Sequence, residues 1–168
     1  MTYRVEPLRH DHDLEPFDCG NADLNDWLRR SARHATGQGT RTYVLIDERT
    51  ARIVGYFAMA PHLLERDQMP PRIGRGAPAH IPAILLAKLA LAAGVQGRGL
   101  GSDLLVRALE MIIEAARVAG GKLVVVDAVG EAAAHFYERH DLDPTPGSPS
   151  RLVKKLSTVA AALGLPWP

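Results

Sequence analysis

The sequence predicts a mixed α/β fold: an α+β mixed sheet with antiparallel strands at the N-terminus and a central parallel pair flanked by helices. Three observations carry that prediction. In the first half, Arg41–Ile46 and Ile53–Ala60 are β-rich runs separated by the polar Asp47-Glu48-Arg49-Thr50, the pattern of an antiparallel hairpin. In the second half, the apolar run Ile84–Leu91 is interrupted only by Lys88 and reads as a strand buried on both faces. A glycine cluster, a helical periodicity and a second apolar run, Leu123–Val126, follow it. Strand, turn, long helix and strand make a βαβ unit, and its two strands run parallel.

The remaining elements follow from local chemistry. Residues 2–9 read as a short edge strand, since Pro7 is tolerated only at an edge. Asn21 is placed to cap a helix over about Ala22–Ala35, with Asp23 and Asp26 in its first turns and Gly37 and Gly39 beyond its end. Between His62 and Pro82 the chain collects Pro70, Pro71, Gly74, Gly76, Pro78 and Pro82, and irregular structure is expected over most of that length. Leu104, Leu105, Ala108, Leu109, Ile112, Ile113 and Ala116 recur at helical spacing, giving a helix from about Leu100 to Val118 that Gly120 and Gly121 stop. Glu131–Arg139 reads as a short helix, and Leu152–Leu156 as a final strand with a helical or frayed tail.

Composition bounds the function. The chain has 168 residues, 46% of them hydrophobic and 23% charged, which is material for one sizeable core, so a single domain over residues 1–168 is expected. A net charge of +1 argues against bulk nucleic-acid coating. The distribution of charge says more. No acid occurs from Leu28 to Ile46 or from Gln68 to Ser102, and after Asp143 the charges are Arg151, Lys154 and Lys155. Such stretches suit a phosphate-bearing partner if they converge, and solvated helix faces if they do not. No run approaches the ~20 apolar residues of a membrane span, so a cytoplasmic protein without membrane association is expected. Cys19 is the only cysteine, which excludes an internal disulfide, and the seven histidines show no metal spacing; no metal is expected.

The turn Val95-Gln96-Gly97-Arg98-Gly99-Leu100-Gly101-Ser102 carries the strongest chemical signal. It lies where a buried strand ends and a long helix begins, so its backbone N–H groups and the helix dipole favour a phosphate. It is not a Walker A loop, because no Gly-Lys-Ser/Thr follows a four-residue gap, and not Gly-x-Gly-x-x-Gly, because its third glycine comes one residue early. Gln96 to Gly101 resembles the Gln/Arg-x-x-Gly-x-Gly/Ala acyl-CoA pyrophosphate loop of the GNAT acetyltransferase superfamily. Ala134-His135-Phe136-Tyr137-Glu138-Arg139 resembles the Phe-Tyr pair on that family's C-terminal helix. Phe17-Asp18-Cys19-Gly20-Asn21 with Leu24 and Leu28, Tyr56-Phe57, and Ile81 to Ala90 are similar to the acetyltransferase toxins of bacterial toxin–antitoxin modules, which acetylate the α-amine of aminoacyl-tRNA.

The resemblance implies a GNAT-like fold, acetyl-CoA as donor and charged tRNA as acceptor. It also implies a ribbon-helix-helix antitoxin as partner, and a homodimer. Leu89, Ala90 and Leu91 would pair with the pantetheine amides. Gln96, Gly97, Arg98, Gly99, Leu100, Gly101 and Ser102 would hold the pyrophosphate, with Phe136 also on the donor side. Tyr137 would be the general acid for the leaving thiolate; a phenol at its ordinary pKa of ~10 suffices against a thiol of ~8–9. Charge context nominates Arg29, Arg30, Arg33, Arg72, Arg75, Lys154 and Lys155 for tRNA phosphates. No Glu or His is compelled into the role of base, and Glu65 falls in an irregular region; the α-amine of an aminoacyl ester is acidic enough for a water relay. Two departures from the family pattern stand out: His140-Asp141-Leu142 where a Gly-Phe is common, and Ala92-Ala93-Gly94 where polar residues are common. Two other functions fit the same fold, namely acetylation of a small amine or protein N-terminus, and a non-catalytic acyl-CoA-binding module.

Overall fold

The computed structural model describes residues 2–168. Seven strands follow the order β1-β2-β3-β4-β5-β7-β6, and the chain divides into two compact units, Met1–Ala60 with Ala87–Ala108 and Pro61–Leu86 with Leu109–Pro168.

In the first unit, β1 (Tyr3–Pro7) pairs antiparallel with β2 (Arg41–Asp47), from Tyr3↔Asp47 to Pro7↔Tyr43, which leaves Pro7 on the edge strand where its missing N–H costs nothing. Strand β2 in turn pairs with β3 (Arg52–Glu65), with a bulge between Leu45 and Ile46. The predicted first helix is present but not uniform. It comprises α1 (Ala22–Asp26), a π-helical turn Trp27–Ser31 and α2 (Ala32–Gly37). Asn21 caps it, its Oδ1 accepting from the Leu24 N–H at 3.1 Å. Leu14, Phe17, Leu28, Ala32, Val44, Ile46, Ile53, Tyr56 and Ala90 form this unit's core.

In the second unit, β4 (His80–Leu91) pairs parallel with β5 (Leu123–Asp127), from Ala83↔Leu123 to Leu86↔Val126, as the βαβ pattern requires. Strand β5 pairs antiparallel with β7 (Ser148–Lys155), and β7 with the short β6 (Asp143–Thr145). Leu64, Met69, Ile73, Ala77, Ile81, Ala83, Leu123, Val125 and Val153 form its core. Helix α5 (Glu131–Arg139) has the predicted bounds, and the tail forms α6 (Leu156–Leu163). The connecting helix α4 (Leu100–Ala119) buries every apolar residue that its periodicity marks, Leu104 to Ala116. No helix among the described residues is long and apolar enough to cross a membrane.

Three expectations are corrected. The irregular region is shorter than its Pro and Gly content implies, because β3 runs to Glu65 and β4 starts at His80, leaving a 3-10 turn at Arg66–Gln68 and the short α3 (Pro71–Gly74) between them. Pro61 lies beyond Met59, where the β2 pairing of β3 ends, so no β2 carbonyl needs its N–H. The run Ile84–Leu91 is not buried throughout: Ile84, Leu86 and Ala90 are buried, while Ala87, Lys88, Leu89 and Leu91 are half-buried. Lys88 is accommodated by the Trp27 ring, with Nζ 5.5 Å from its centroid. Strand β6 was not expected; Asp143-Pro144-Thr145 is too short for a period-2 signal, and its Pro144 sits in the last strand of the order.

Candidate active site

The glycine-rich loop has the geometry of an anion receptor. Gly97 and Gly99 have φ of +79° and +78°, the left-handed region that side-chain-bearing residues avoid. Arg98 between them lies outside that region, and such alternation turns successive N–H groups toward one point. A Cβ at either glycine would meet nothing within 4 Å, so backbone conformation, not crowding, calls for glycine, and the loop face is open to a ligand. The loop leads into α4, whose 3.3 Å Asp103 N–H to Gly99 C=O bond opens the helix; opening N–H groups lack helical acceptors and carry the positive end of the dipole.

The loop is braced from behind by the Phe17-Asp18-Cys19-Gly20-Asn21 turn. The Gln96 carboxamide donates to the Cys19 carbonyl at 3.0 Å and to the Leu91 carbonyl at 2.9 Å. The Ala93 N–H donates to the Asp18 carbonyl at 2.8 Å, and the Ala92 N–H to the Val54 carbonyl at 2.8 Å. The turn itself is closed by Asn25 and Asp18. Asn25 Oδ1 accepts from the Cys19 N–H at 2.9 Å and its Nδ2 donates to Asp18 Oδ1 at 3.0 Å, while Asp18 also accepts from the Gly20 N–H at 2.9 Å. Those bonds, the Gly20 one foremost, hold the Asp18 carboxyl below its ordinary range. Gln96 is therefore a positioning residue: its side-chain N–H groups face the protein, and its backbone N–H donates to Ala93 at 3.3 Å. Asp18, Asn25 and Gly55 went unremarked as functional residues in the sequence. A Cβ on Gly55 would lie 3.0 Å from the Leu91 side chain and 3.2 Å from the Ala90 carbonyl, so glycine there lets β3 approach the end of β4 that carries Leu89, Ala90 and Leu91.

Strand β4 continues from Leu86, the last residue in register with β5, to Leu91, and its residues 87–91 belong to the first unit. In the second unit the chemistry-bearing residues lie on α5 and around β5 and β7. Tyr137 lies on α5 and is 7% exposed, its ring edge-on to Phe136 at 5.2 Å. Burial pushes its phenol well above the ordinary value near 10, which corrects the expectation of an unperturbed group. The helix ends just after it. The His140 and Leu142 N–H groups both donate to the Tyr137 carbonyl, at 3.0 and 3.1 Å, and Asp141 takes φ +68°. Asp141 thus adopts the left-handed stop that glycine supplies in the family pattern, which resolves that departure. A further cluster joins His62, Arg151 and Asp127: Arg151 grips Asp127 through two bonds of 2.7 and 2.9 Å and lies 3.3 Å from His62 Nε2. Burial first, and Arg151 second, hold the His62 imidazole below its ordinary pKa.

The basic residues separate into two groups. Arg29 donates to the Phe17 carbonyl, and Arg33 donates to the carbonyls of Arg9, His10 and His12, the last at 2.7 Å. Both clamp the 9–17 loop onto the first helix, and their buried Nε atoms face no acceptor. Arg30, Arg72 and Arg75 are exposed, and Lys154 and Lys155 half-buried. Among the described residues no group of His, Cys, Asp and Glu could hold a metal ion.

Residues 38–141, which include the glycine loop and the Phe136-Tyr137 pair, match the acetyltransferase (GNAT) domain. The chain belongs to the GNAT acetyltransferases. Among GNAT relatives, the tRNA-acetylating toxin of Mycobacterium tuberculosis (strain ATCC 25618 / H37Rv) is 34% identical over 154 residues, covering 90% of this chain and 91% of that one. AtaT complexed with acetyl-methionyl-tRNAfMet superposes with a TM-score of 0.87 at 25% identity, over 96% of this chain and 99% of the other. A tyrosine-to-phenylalanine variant of the AtaT toxin, bound to the C-terminus of the antitoxin AtaR and acetyl-CoA, gives 0.80 at 25% identity, over 96% and 98%. The donor is acetyl-CoA, in keeping with the acetyltransferase domain and with the acetyl-CoA held by the AtaT variant.

Proposed function

We propose that this GNAT enzyme is a translation-blocking toxin that moves the acetyl group of acetyl-CoA to the α-amine of an aminoacyl-tRNA, and that a ribbon-helix-helix antitoxin holds it in check. The observation that carries the reading is the open loop with alternating backbone at Gly97 and Gly99, on a chain whose 34% identical relative is a tRNA-acetylating toxin spanning nearly the same length. The enzyme is taken to be a cytoplasmic homodimer.

In this reading the loop N–H groups and the α4 dipole bind the pyrophosphate, with Arg98 and Ser102 beside them and Gln96 fixing the loop. Half-buried Leu89 and Leu91 flank Ala90 on the strand edge that receives the pantetheine amides. The neutral α-amine attacks the thioester carbonyl, a C–N bond forms, and the C–S bond breaks with its electron pair going to sulfur. Tyr137 gives its phenolic proton to that thiolate, and water relays the proton lost by the amine back to the tyrosinate. A phenol is protonated near pH 7–8, which is the form a general acid needs, and burial raises the Tyr137 pKa further. With no side chain assigned as base, the reading favours an amine that is neutral near pH 7–8, such as the α-amine of an ester.

The test is cell-free protein synthesis. Adding the protein with acetyl-CoA should stop synthesis, omitting acetyl-CoA should leave it running, and freshly charged tRNA should restore it. Synthesis that continues while acetyl-CoA is consumed on added small amines would replace this reading with the small-amine one.

A further inference from the structure

We propose that a cavity of about 220 Å³ in the second unit, lined by Arg72, Ile73, Asp143, Lys154, Lys155 and Thr158, is a subsite for a backbone phosphodiester of the RNA acceptor. This rests on the reading of the chain as an enzyme of aminoacyl-tRNA and locates a contact for that substrate. Three cations from two segments distant in sequence line it, Arg72 from α3 and the adjacent Lys154 and Lys155 from the end of β7. A single carboxylate serves two of them: Asp143 Oδ2 lies 2.8 Å from Arg72 Nη2 and 3.4 Å from Lys154 Nζ. Lys155 has no ion pair among the described residues. Three positive charges against one negative leave an excess of two around the cavity.

The surroundings sharpen that field. The Asp143 and Lys154 side chains are each only 24% exposed, so charge among them is less screened than on open surface, while Arg72, at 68%, stands toward solvent. The Thr158 hydroxyl adds a neutral donor. Ile73 is the one apolar side chain in the lining, which offers little of the hydrophobic core on which protein partners anchor. Charge with hydroxyl donors and little apolar surface is the chemistry of backbone contacts to nucleic acid, which position a duplex without reading its sequence. Asp143 makes the site sensitive in both directions, since it holds back two of the cations that a phosphate would take over.

The test is binding of uncharged tRNA to the full chain by filter retention, at salt from about 50 to 200 mM, for wild type, Lys155→Gln, Lys154→Gln, Asp143→Asn and, as a remote cation, Arg117→Gln. Melting temperatures are recorded for each, and acetyl-CoA affinity is measured by calorimetry. Each lysine variant is expected to weaken tRNA binding and to reduce the log–log salt slope by about 1. Asp143→Asn is expected to tighten binding, Arg117→Gln to leave it unchanged, and acetyl-CoA affinity to be the same throughout. Unchanged tRNA affinity in the lysine variants would overturn the proposal, as would weaker binding by a fully folded Asp143→Asn. Loss of acetyl-CoA affinity alone would assign the cavity to a phosphate of the donor. In a parallel calorimetric titration with poly-glutamate, loss of that binding alone in the lysine variants would overturn the RNA assignment in favour of an acidic protein. The two readings fail separately: wild type that shows these tRNA responses but does not acetylate charged tRNA keeps the subsite and loses the reaction.

Discussion

Tyr137 shows how surroundings change the acid strength of one side chain. An exposed phenol loses its proton near pH 10, but burial on α5 beside Phe136 raises that threshold, so the neutral acid persists wherever the enzyme works. Replacing it with phenylalanine keeps the ring and its packing and removes the hydroxyl that carries the proton. The expected outcome for Tyr137→Phe is a kcat lower by about a hundredfold or more, with unchanged acetyl-CoA affinity; single-turnover transfer with calorimetry separates the two. A Phe variant at the wild-type rate would mean that the thiolate leaves unprotonated or takes its proton from water. The tyrosine itself is legible in the sequence through its Phe-Tyr pair. Its burial is not, because helical spacing alone does not say how deeply a face is covered. Arg29 and Arg33 make the same point in reverse. Their charge is plain in the sequence, yet the carbonyls that claim them belong to residues 9–17, which no local pattern connects to the first helix.

Among elements, the β4 end, the glycine loop and the start of α4 form one device, held by the turn at residues 17–21. The strand, loop and helix are legible because each has its own period or punctuation: an apolar run, three glycines, an apolar stripe. The brace is not, since its bonds join Gln96 to Cys19 and Ala93 to Asp18 across most of this unit's length in sequence. Its energetic content is that of a few ordinary hydrogen bonds. Gln96→Ala removes two of them, and the KM for acetyl-CoA is expected to rise about tenfold, the equivalent of one or two net hydrogen bonds, with kcat nearly kept. Steady-state kinetics with varied donor checks this, and a lowered kcat at unchanged KM would show that Gln96 acts on the chemical step. The β3–β4 connection is where sequence reading fails most at this scale. Its prolines and glycines are real breakers, but they cluster around α3 and leave both strand ends free to extend.

For the molecule as a whole, a net charge of +1 conceals local imbalance, and folding at low pH exposes it. Glu6 is contacted by His12 at 2.6 Å, by Arg9 at 2.9 Å and by Arg4 at 3.1 Å. The His12 bond foremost, with help from the two arginines, takes its carboxyl from 4.5 to about 2. A folded-state value below the unfolded one stabilises the fold fully above about pH 4.5, and that contribution disappears as pH falls toward 2. Glu6→Gln is therefore expected to lower the melting temperature at pH 6 and to have little effect near pH 2, as thermal melts across that range would show. Fold class and strand direction are legible at this scale because the βαβ rule leaves one handedness and one pairing. The identity of the acceptor is not, because it depends on side chains gathered from distant segments. One measurement tests the central claim most directly: mass spectrometry of aminoacyl adducts recovered after incubating the protein with isotopically labelled acetyl-CoA and a total charged tRNA pool. The account predicts label on the α-nitrogen of one or a few amino acids and none on uncharged tRNA. Label confined to small amines or to protein N-termini, with charged tRNA unmodified, would contradict it.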